Sequence, residues 1–414
     1  MDDLRNALYS PEFPEYWVHQ PLYSLAKWVN GIAFRNINFS LNGLPIIKIA
    51  EVKNGVTSQT KFTKQAFDET VYIRNGDLIF SWSGQPETSI DVFWWTGSDG
   101  WLNQHLFRVM PIENIDRAFF FYLLRYLKPN FIAIARNKQT TGLGHVTRKD
   151  LERLKAAYPP LLEQRAIAEV LGALDDKIEA NRKLSDTAID YAMSWSSAVL
   201  SRCNGAMVAI EDVAHIVKGV SYRSGDLIPG DGWLVSLKCF GRNGKFQSEG
   251  LKPFSGQAKN EQVVEPHDVV VAQTDVTQRA DVIGRTIRIP STKKVGRLVA
   301  SLDCVIVRPY SPLTREMVFA ILSQKSFRDH AHGYCNGTTV LHMNSRAVPS
   351  YEFQMPSIQI INQTTSILSS LFEYSESVME ENILLANLRD TLLPKLLSGE
   401  LRVKDSESIV EEAT

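Results

Sequence analysis

The chain repeats itself once, and two copies of one unit constrain its fold more than any single motif does. Leu22, Leu25, Ala26, Trp28, Val29, Gly31, Ile32 and Phe34 align without gaps on Ile210, Val213, Ala214, Ile216, Val217, Gly219, Val220 and Tyr222, 188 residues further on. Gly76-Asp77-Leu78-Ile79-Phe80 falls on His267-Asp268-Val269-Val270-Val271 at an offset of 191, and both read as a turn feeding a buried strand. Thr141, His145, Pro159, Leu171 and Leu174 fall on Thr338, His342, Pro356, Leu368 and Leu371 at an offset of 197. Each identity alone could arise by chance between two unrelated domains. The offset rises in one direction, as small insertions in a second copy require.

Each copy divides again. Its first part, residues 1–157 and 203–354, is rich in glycine, aromatic residues and short apolar runs such as Leu44-Pro45-Ile46-Ile47-Lys48-Ile49 and Cys304-Val305-Ile306-Val307. Short runs bounded by turn residues predict a mixed domain with substantial sheet, and one helical piece lies inside each, Ile115 to Tyr126 and Thr314 to Ser326. The second part, residues 158–202 and 355–403, reads as one long helix, and residues 404–414 form an acidic tail. The whole is an α+β chain.

In the first helix the stripe runs Ile167, Leu171, Leu174, Ile178, Asn181, Leu184, Ala188, Tyr191, Trp195, an average step of 3.5 residues. In the second it runs Ile367, Leu371, Tyr374, Val378, Asn382, Leu385, Leu388, Leu392, until Pro394 interrupts and Gly399 offers a stop. Stripes so narrow and so long predict that the two helices pack on each other. Asn181 and Asn382 interrupt both; buried, they would fix the register, and exposed, they would simply face water.

Composition bounds the partners. At about 100 to 200 residues per domain, 414 residues make two to four domains. Lys plus Arg is 45 against 46 Asp plus Glu, a net charge of −1, so a nucleic-acid role has to rest on local patches. No apolar run reaches membrane-spanning length and MDDLRNALYS is no signal peptide, which predicts a cytoplasmic chain without a membrane partner. Cys203, Cys239, Cys304 and Cys335 are scattered and read as reduced thiols.

The catalytic inventory is thin. There is no phosphate-loop motif, since Gly241-Arg242-Asn243-Gly244-Lys245 has the wrong spacing, and there is no G-x-G-x-x-G or G-x-S-x-G. The Pro-Pro of Tyr158-Pro159-Pro160-Leu161 lacks the flanking residues of an adenine methyltransferase and reads as the lead-in to a helix. Glu51-x-Lys53 resembles half of a nuclease site, has no acidic partner upstream, and reads as a solvated strand end. His330, His332 and Cys335 are spaced like metal ligands but lack a fourth donor, so no metal and no catalytic residue is assigned.

Two segments carry a resemblance. Tyr158-Pro159-Pro160-Leu161-Leu162-Glu163-Gln164-Arg165-Ala166-Ile167-Ala168, continuing through Leu174-Asp175-Asp176-Lys177-Ile178, and Leu392 to Val403 (LLPKLLSGELRV) are similar to the central and distal conserved regions of the type I restriction-modification specificity subunits, the HsdS family. Gly76 to Gly84 (GDLIFSWSG) and Leu102 to Arg108 (LNQHLFR) resemble motifs of that family's target recognition domains. The second copy departs from the pattern, with Pro356-Ser357-Ile358-Gln359-Ile360-Ile361-Asn362-Gln363 where Pro-Pro-Leu-x-x-Gln is usual.

The resemblance implies a non-catalytic DNA-binding subunit. Two target recognition domains each read half of a split site on double-stranded DNA, and the helices form an antiparallel coiled coil that sets the gap. Two methylation subunits dock on the helices and carry S-adenosylmethionine, and restriction subunits supply ATP- and Mg-dependent translocation and cleavage, so this chain is expected to bind no cofactor.

Polar loops before the repeated histidines are the expected groove or phosphate contacts: Arg136, Asn137, Lys138, Gln139, Thr140 and Thr141 in the first copy and Asn336, Thr338 and Thr339 in the second. Gln273, Thr274, Gln278, Arg279, Lys293, Lys294 and Arg297 are further candidates, while His145 and His342 read as turn-closing and Trp82 and Trp101 as core. The alternatives are a specificity protein of another bipartite-site system, a methyltransferase or nuclease carrying its own recognition domains, and a coiled-coil adaptor that binds no DNA.

Overall fold

The computed structural model describes residues 8–138, 142–241, 244–275, 281–291, 296–337 and 340–405. The chain forms two compact units, residues 1–179 with 383–414 and residues 180–382. Each unit takes part of both long helices, Leu161–Leu200 and Ile358–Ser398, because the unit boundaries cut the helices at Glu179/Ala180 and Asn382/Ile383. Residues 406–414 of the expected acidic tail lie outside the described residues.

The first unit is built on an antiparallel sheet in which Ala26–Asn30 pairs Leu106–Pro111, which pairs Leu78–Ser81, which pairs Asp91–Trp94. Four more strands, Phe62–Thr63, Leu44–Ile47, Gly100–Leu102 and Tyr72–Ile73, make a second sheet whose middle pair is parallel. Helices Arg117–Tyr126 and Lys128–Arg136 supply Phe119, Phe120, Leu123 and Phe131 to the core, and Leu127 between them joins it. The second unit repeats both of these sheets strand for strand. Ala214–Lys218, Cys304–Pro309, Val269–Ala272 and Thr286–Arg288 form its first sheet, and Lys252–Phe254, Gly232–Val235, Arg297–Ala300 and Val263–Val264 its second, again with a parallel middle pair. The repeat read from spacing is a repeat of topology.

Two glycines hold that topology together. The Gly31 N–H donates to Leu106 O (3.0 Å) and the Gly219 N–H to Cys304 O (3.1 Å), so each strand leaves its first sheet pressed against the neighbouring backbone. A Cβ would lie 2.2 Å from Asn103 O at Gly31 and 1.9 Å from Ser301 O at Gly219. Only glycine fits there.

Asp77 and Asp268 cap the turns before the strands that the sequence pairs. Asp268 is fully buried, accepts from the Glu265 backbone, and meets Arg308 (2.7 Å) and Arg315 Nε (3.1 Å). Asp77 likewise accepts from the Arg74 backbone and pairs Arg108 (3.1 Å) and Arg117 (3.7 Å). Arg117 and Arg315 are the first residues of equivalent helices, whereas the strand arginines differ by one alternation: Arg108 faces Ile79, and Arg308 lies two residues beyond Ile306, the residue that faces Val270. His267, with φ 69°, occupies the left-handed position that Gly76 fills at 87°. Burial and the neighbouring Arg288 lower the His267 pKa, favouring the neutral ring.

Within each unit the helix segments pack antiparallel. In the first unit Asp175 pairs Arg389, and Ile167, Leu171, Leu174 and Ile178 share a core with Leu385, Leu392 and Leu396. In the second unit, Asn181 Nδ2 donates to Glu381 (2.9 Å) and Ser185 shares a hydrogen bond with Ser375 (2.7 Å), rising numbers against falling ones. Here the seam differs from the expected stripe. Leu184, Tyr191 and Tyr374 are 47%, 57% and 46% exposed, and Ser185, Ala192 and Ser375 are buried in their place. At about 100° per residue, Leu184 sits roughly 120° away from Ile178 around the helix and Ser185 only about 20° away. Trp195, Ile367, Leu371 and Leu388 are half-buried, and Val378 is buried.

Asn181 and Asn382 are both buried, so the water-facing alternative does not hold. Replacing both by leucine is expected to raise the unfolding free energy by about 1 kcal/mol, read from the urea midpoint. A lower midpoint would mean that these amides stabilise the helix pair.

Other expectations need correcting. The second helix runs through Pro394 and ends before Gly399 (φ 76°), because Leu392, Leu393, Leu396 and Leu397 around the proline are all buried. Packing there outweighs the one hydrogen bond that proline removes. Glu51 lies on a short helix, Ile49–Asn54, where it is buried and caps the Lys48 N–H (3.1 Å), rather than at a solvated strand end. Gln164 is buried and stitches the first helix to Asn114 O, Pro159 O and the Asp116 N–H (3.0, 2.8 and 2.7 Å). Its counterpart in the departing second copy, Ile361, is a buried core residue, so apolar packing replaces the polar stitch.

Candidate nucleic-acid interface

One end of the first sheet collects residues that lie far apart in the chain. In the first unit the strands Ala26–Asn30 and Leu78–Ser81 end there and Leu106–Pro111 begins there, which places Asn30, Trp82, Gln104 and His105 together. Trp82 Nε1 donates to Asn30 Oδ1 (3.1 Å), its ring lies 5.9 Å from the His105 ring, and Gln104 Nε2 is 3.2 Å from His105 Nε2. The backbone of Trp82 donates to His105 O (3.3 Å) and accepts from Val146 N (2.9 Å), which brings exposed His145 alongside on the pair Gly144–His145 with Ser83–Gly84.

The second unit repeats this frame with different side chains. Gln273 takes the place of Trp82, donating to Asp303 O (2.7 Å) and accepting from Met343 N (2.8 Å), and exposed His342 pairs with Thr274. Amide, imidazole, indole and carboxylate groups at such a sheet end can donate to and accept from base edges. The shared backbone fixes where they sit.

Most of the expected contact residues that the structure describes are otherwise engaged. Arg136 ends its helix in an ion pair with Glu87, exposed Asn137 caps that helix, and Lys138 holds both oxygens of buried Asp150 at 2.5 Å. Burial alone would raise the Asp150 pKa, but hydrogen bonds from Lys138, Thr147 and Tyr9 bring it below the usual carboxylate range. Gln273 and Thr274 are buried rather than presented, and the Thr274 hydroxyl donates to Asp303 (2.8 Å). Arg297 is half-buried, donating to Ala258 O (3.3 Å) and 3.8 Å from Asp231, while Asn336 is exposed on the short strand beside His342. Gln139, Thr140, Thr141, Gln278, Arg279, Lys293, Lys294, Thr338 and Thr339 lie outside the described residues.

The His330 ring Nε2 donates to Ala347 O (2.9 Å) and the Cys335 thiol turns back onto Ala331 O (3.3 Å), so the metal-like spacing does not become a cluster, and no group of metal-ligating side chains occurs among the described residues. Trp101 is buried, but Trp82 is half-exposed at the sheet end instead of in the core. Composition gave no sign of this surface. The signal lay in the alignment of the two copies, which puts Trp82 opposite Gln273 and His145 opposite His342.

The chain is thus a duplicated α+β unit with paired helices and a polar sheet end built twice. Residues 14–187 match the family model for the type I restriction modification DNA specificity domain. The chain is 22% identical to the type I restriction enzyme EcoBI specificity subunit of Escherichia coli over 93% of its length and 86% of that protein. It is 20% identical to the type I restriction enzyme MjaVIII specificity subunit of Methanocaldococcus jannaschii over 95% of its length and 94% of that protein. Among solved structures it is similar to the type-I restriction-modification system S subunit from M. genitalium, at 16% identity and a TM-score of 0.48 over 92% of this chain and 96% of that one. These similarities point to one family, the type I restriction-modification specificity subunits, and the matched model spans the first unit's sheets and most of the first long helix.

Proposed function

We propose that this chain is the DNA sequence-specificity subunit of a type I restriction-modification complex and catalyses no reaction itself. The observation that carries the proposal is the duplication. The same sheet end is built once in each unit on the same backbone bonds, with Trp82 and His105 in one and Gln273 and Asp303 in the other. One scaffold with two sets of side chains suits a split target whose halves differ in sequence.

The two long helices are the covalent path from one unit to the other. The first has 40 residues and is about 60 Å long, against roughly 34 Å for a turn of DNA, so helix length can set the spacer between half-sites. Side chains left out of the seam, Leu184, Tyr191, Tyr374 and Met379, offer apolar area to partner subunits. Those partners are two methylation subunits carrying S-adenosylmethionine and restriction subunits using ATP and Mg, acting in the cytoplasm. Among the described residues no helix is long and apolar enough to cross a membrane.

The test is a modified-base map of the native genome. The expected result is N6-methyladenine at a split motif of fixed spacing that disappears when the gene is deleted; an unchanged map in a strain with active methylation would overturn the proposal. Exchanging residues 1–157 for those of another family member should alter one half of the motif only.

A further inference from the structure

Beyond the sheet end, the chain passes the two glycines into equivalent turns. Ile32 N donates to Leu102 O (3.0 Å) and Val220 N to Ala300 O (2.7 Å), fixing the exit direction in each unit. Phe34 and Tyr222 then pack against the second sheet, and the next residue in both copies is an arginine, Arg35 and Arg223. Each arginine precedes a one-turn helix, Asn36–Asn38 or Ser224–Asp226, and is locked by the same pair of bonds. Asn38 Oδ1 accepts from the Arg35 N–H (2.8 Å), Asp226 Oδ2 accepts from the Arg223 N–H (2.7 Å), and both arginine carbonyls accept a 2.9 Å bond from the third residue on.

The two side chains are exposed and enter no ion pair among the described residues, in a structure where most arginines are paired. The sequence flanking each carries more cations than anions. Residues 27–65 contain six Lys or Arg against one acidic residue, Glu51, which is buried, and residues 215–256 contain six against three, in a chain whose net charge is −1.

We infer that Arg35 and Arg223 are paired phosphate contacts that set the register of each unit on duplex DNA. The inference rests on the DNA-specificity reading and assigns it residues. Positions that read sequence should differ between two units serving different half-sites, as His105 and Asp303 at the sheet ends do. A position kept in both, on the same turn and beside different neighbours, suits the sequence-independent part of the duplex, and an exposed guanidinium outside any ion pair among the described residues is the group to meet it. Asn36-Ile37-Asn38 against Ser224-Gly225-Asp226 shows how little else in the turn is held constant.

The experiment measures binding of the full chain, assembled with its methylation subunits, to its methylation target and to unrelated duplex DNA from low to high salt. Arg35→Ala and Arg223→Ala should each weaken both DNAs alike, on the order of tenfold at 0.1 M salt, and reduce the salt slope by about one. Arg35→Lys should recover most of the loss, which separates contact from misfolding. Wild-type slopes and affinities in both alanine variants would overturn the inference, as would a loss confined to the target sequence, which would make these arginines base readers. If the wild-type complex itself does not distinguish the target from unrelated DNA, the specificity reading fails instead.

Discussion

Asp268→Ala is expected to cost about 3 to 5 kcal/mol of unfolding free energy, because it strips the shared partner from two partly buried cations. Asp268 is fully buried and meets Arg308 and Arg315 at 2.7 and 3.1 Å. Without it both guanidinium groups keep their desolvation cost and lose the carboxylate, and the Glu265 N–H loses its acceptor. Amide hydrogen exchange should show the loss on the strand Cys304–Pro309 while Leu106–Pro111, in the other unit, keeps its protection. Asp77→Ala should cost less, since Arg117 is 3.7 Å away and half-exposed. Equal costs for the two substitutions would show that burial does not govern these clusters.

Gly219→Ala should be nearly as damaging, at about 3 kcal/mol or more, for a steric reason. Its Cβ would sit 1.9 Å from Ser301 O and 2.4 Å from Ser301 C, both backbone atoms that cannot rotate away. The bond from Gly219 N to Cys304 O would have to open and the strand Ala214–Lys218 to move off its neighbour. A thermal melt should show a midpoint lowered by several degrees or no folded protein at all. A melt like that of the wild type would mean the close approach is relieved by a shift that costs little, and the reading of Gly31 and Gly219 as obligatory glycines would fail with it.

Much of the architecture was legible because a repeat multiplies weak signals. The Leu22 to Phe34 alignment located the edge strand of each unit's first sheet, and Gly76-Asp77 against His267-Asp268 located a strand in its interior. The helices were legible from their 3.5-residue period as far as Ile178 and Asn181. Beyond that point the apolar stripe was misleading, because large apolar residues, Leu184 and Tyr191, lie outside the seam while Ser185 and Ala192 lie in it. Sequence periodicity follows hydrophobicity, and a seam of small and polar residues has none to follow.

The candidate interface was less legible. Loops rich in Arg, Lys and Gln were the sequence's best guess, yet Lys138 is held by Asp150 and Thr274 by Asp303. A charge looks the same in a sequence whether it faces solvent or a buried carboxylate, and only tertiary contacts separate the two. Arg35 shows the converse, an unremarked residue that becomes conspicuous once its turn, its exposure and its counterpart Arg223 are seen together.

What the sequence determined by itself was the duplication, the α+β class, the two long helices and the resemblance to specificity subunits, all of which depend on local pattern and order along the chain. What the tertiary structure decided was which polar groups are satisfied internally, which face of each helix is buried past Asn181, and which distant residues share a sheet end. Those depend on contacts between segments a hundred or more residues apart, and local pattern carries no record of them.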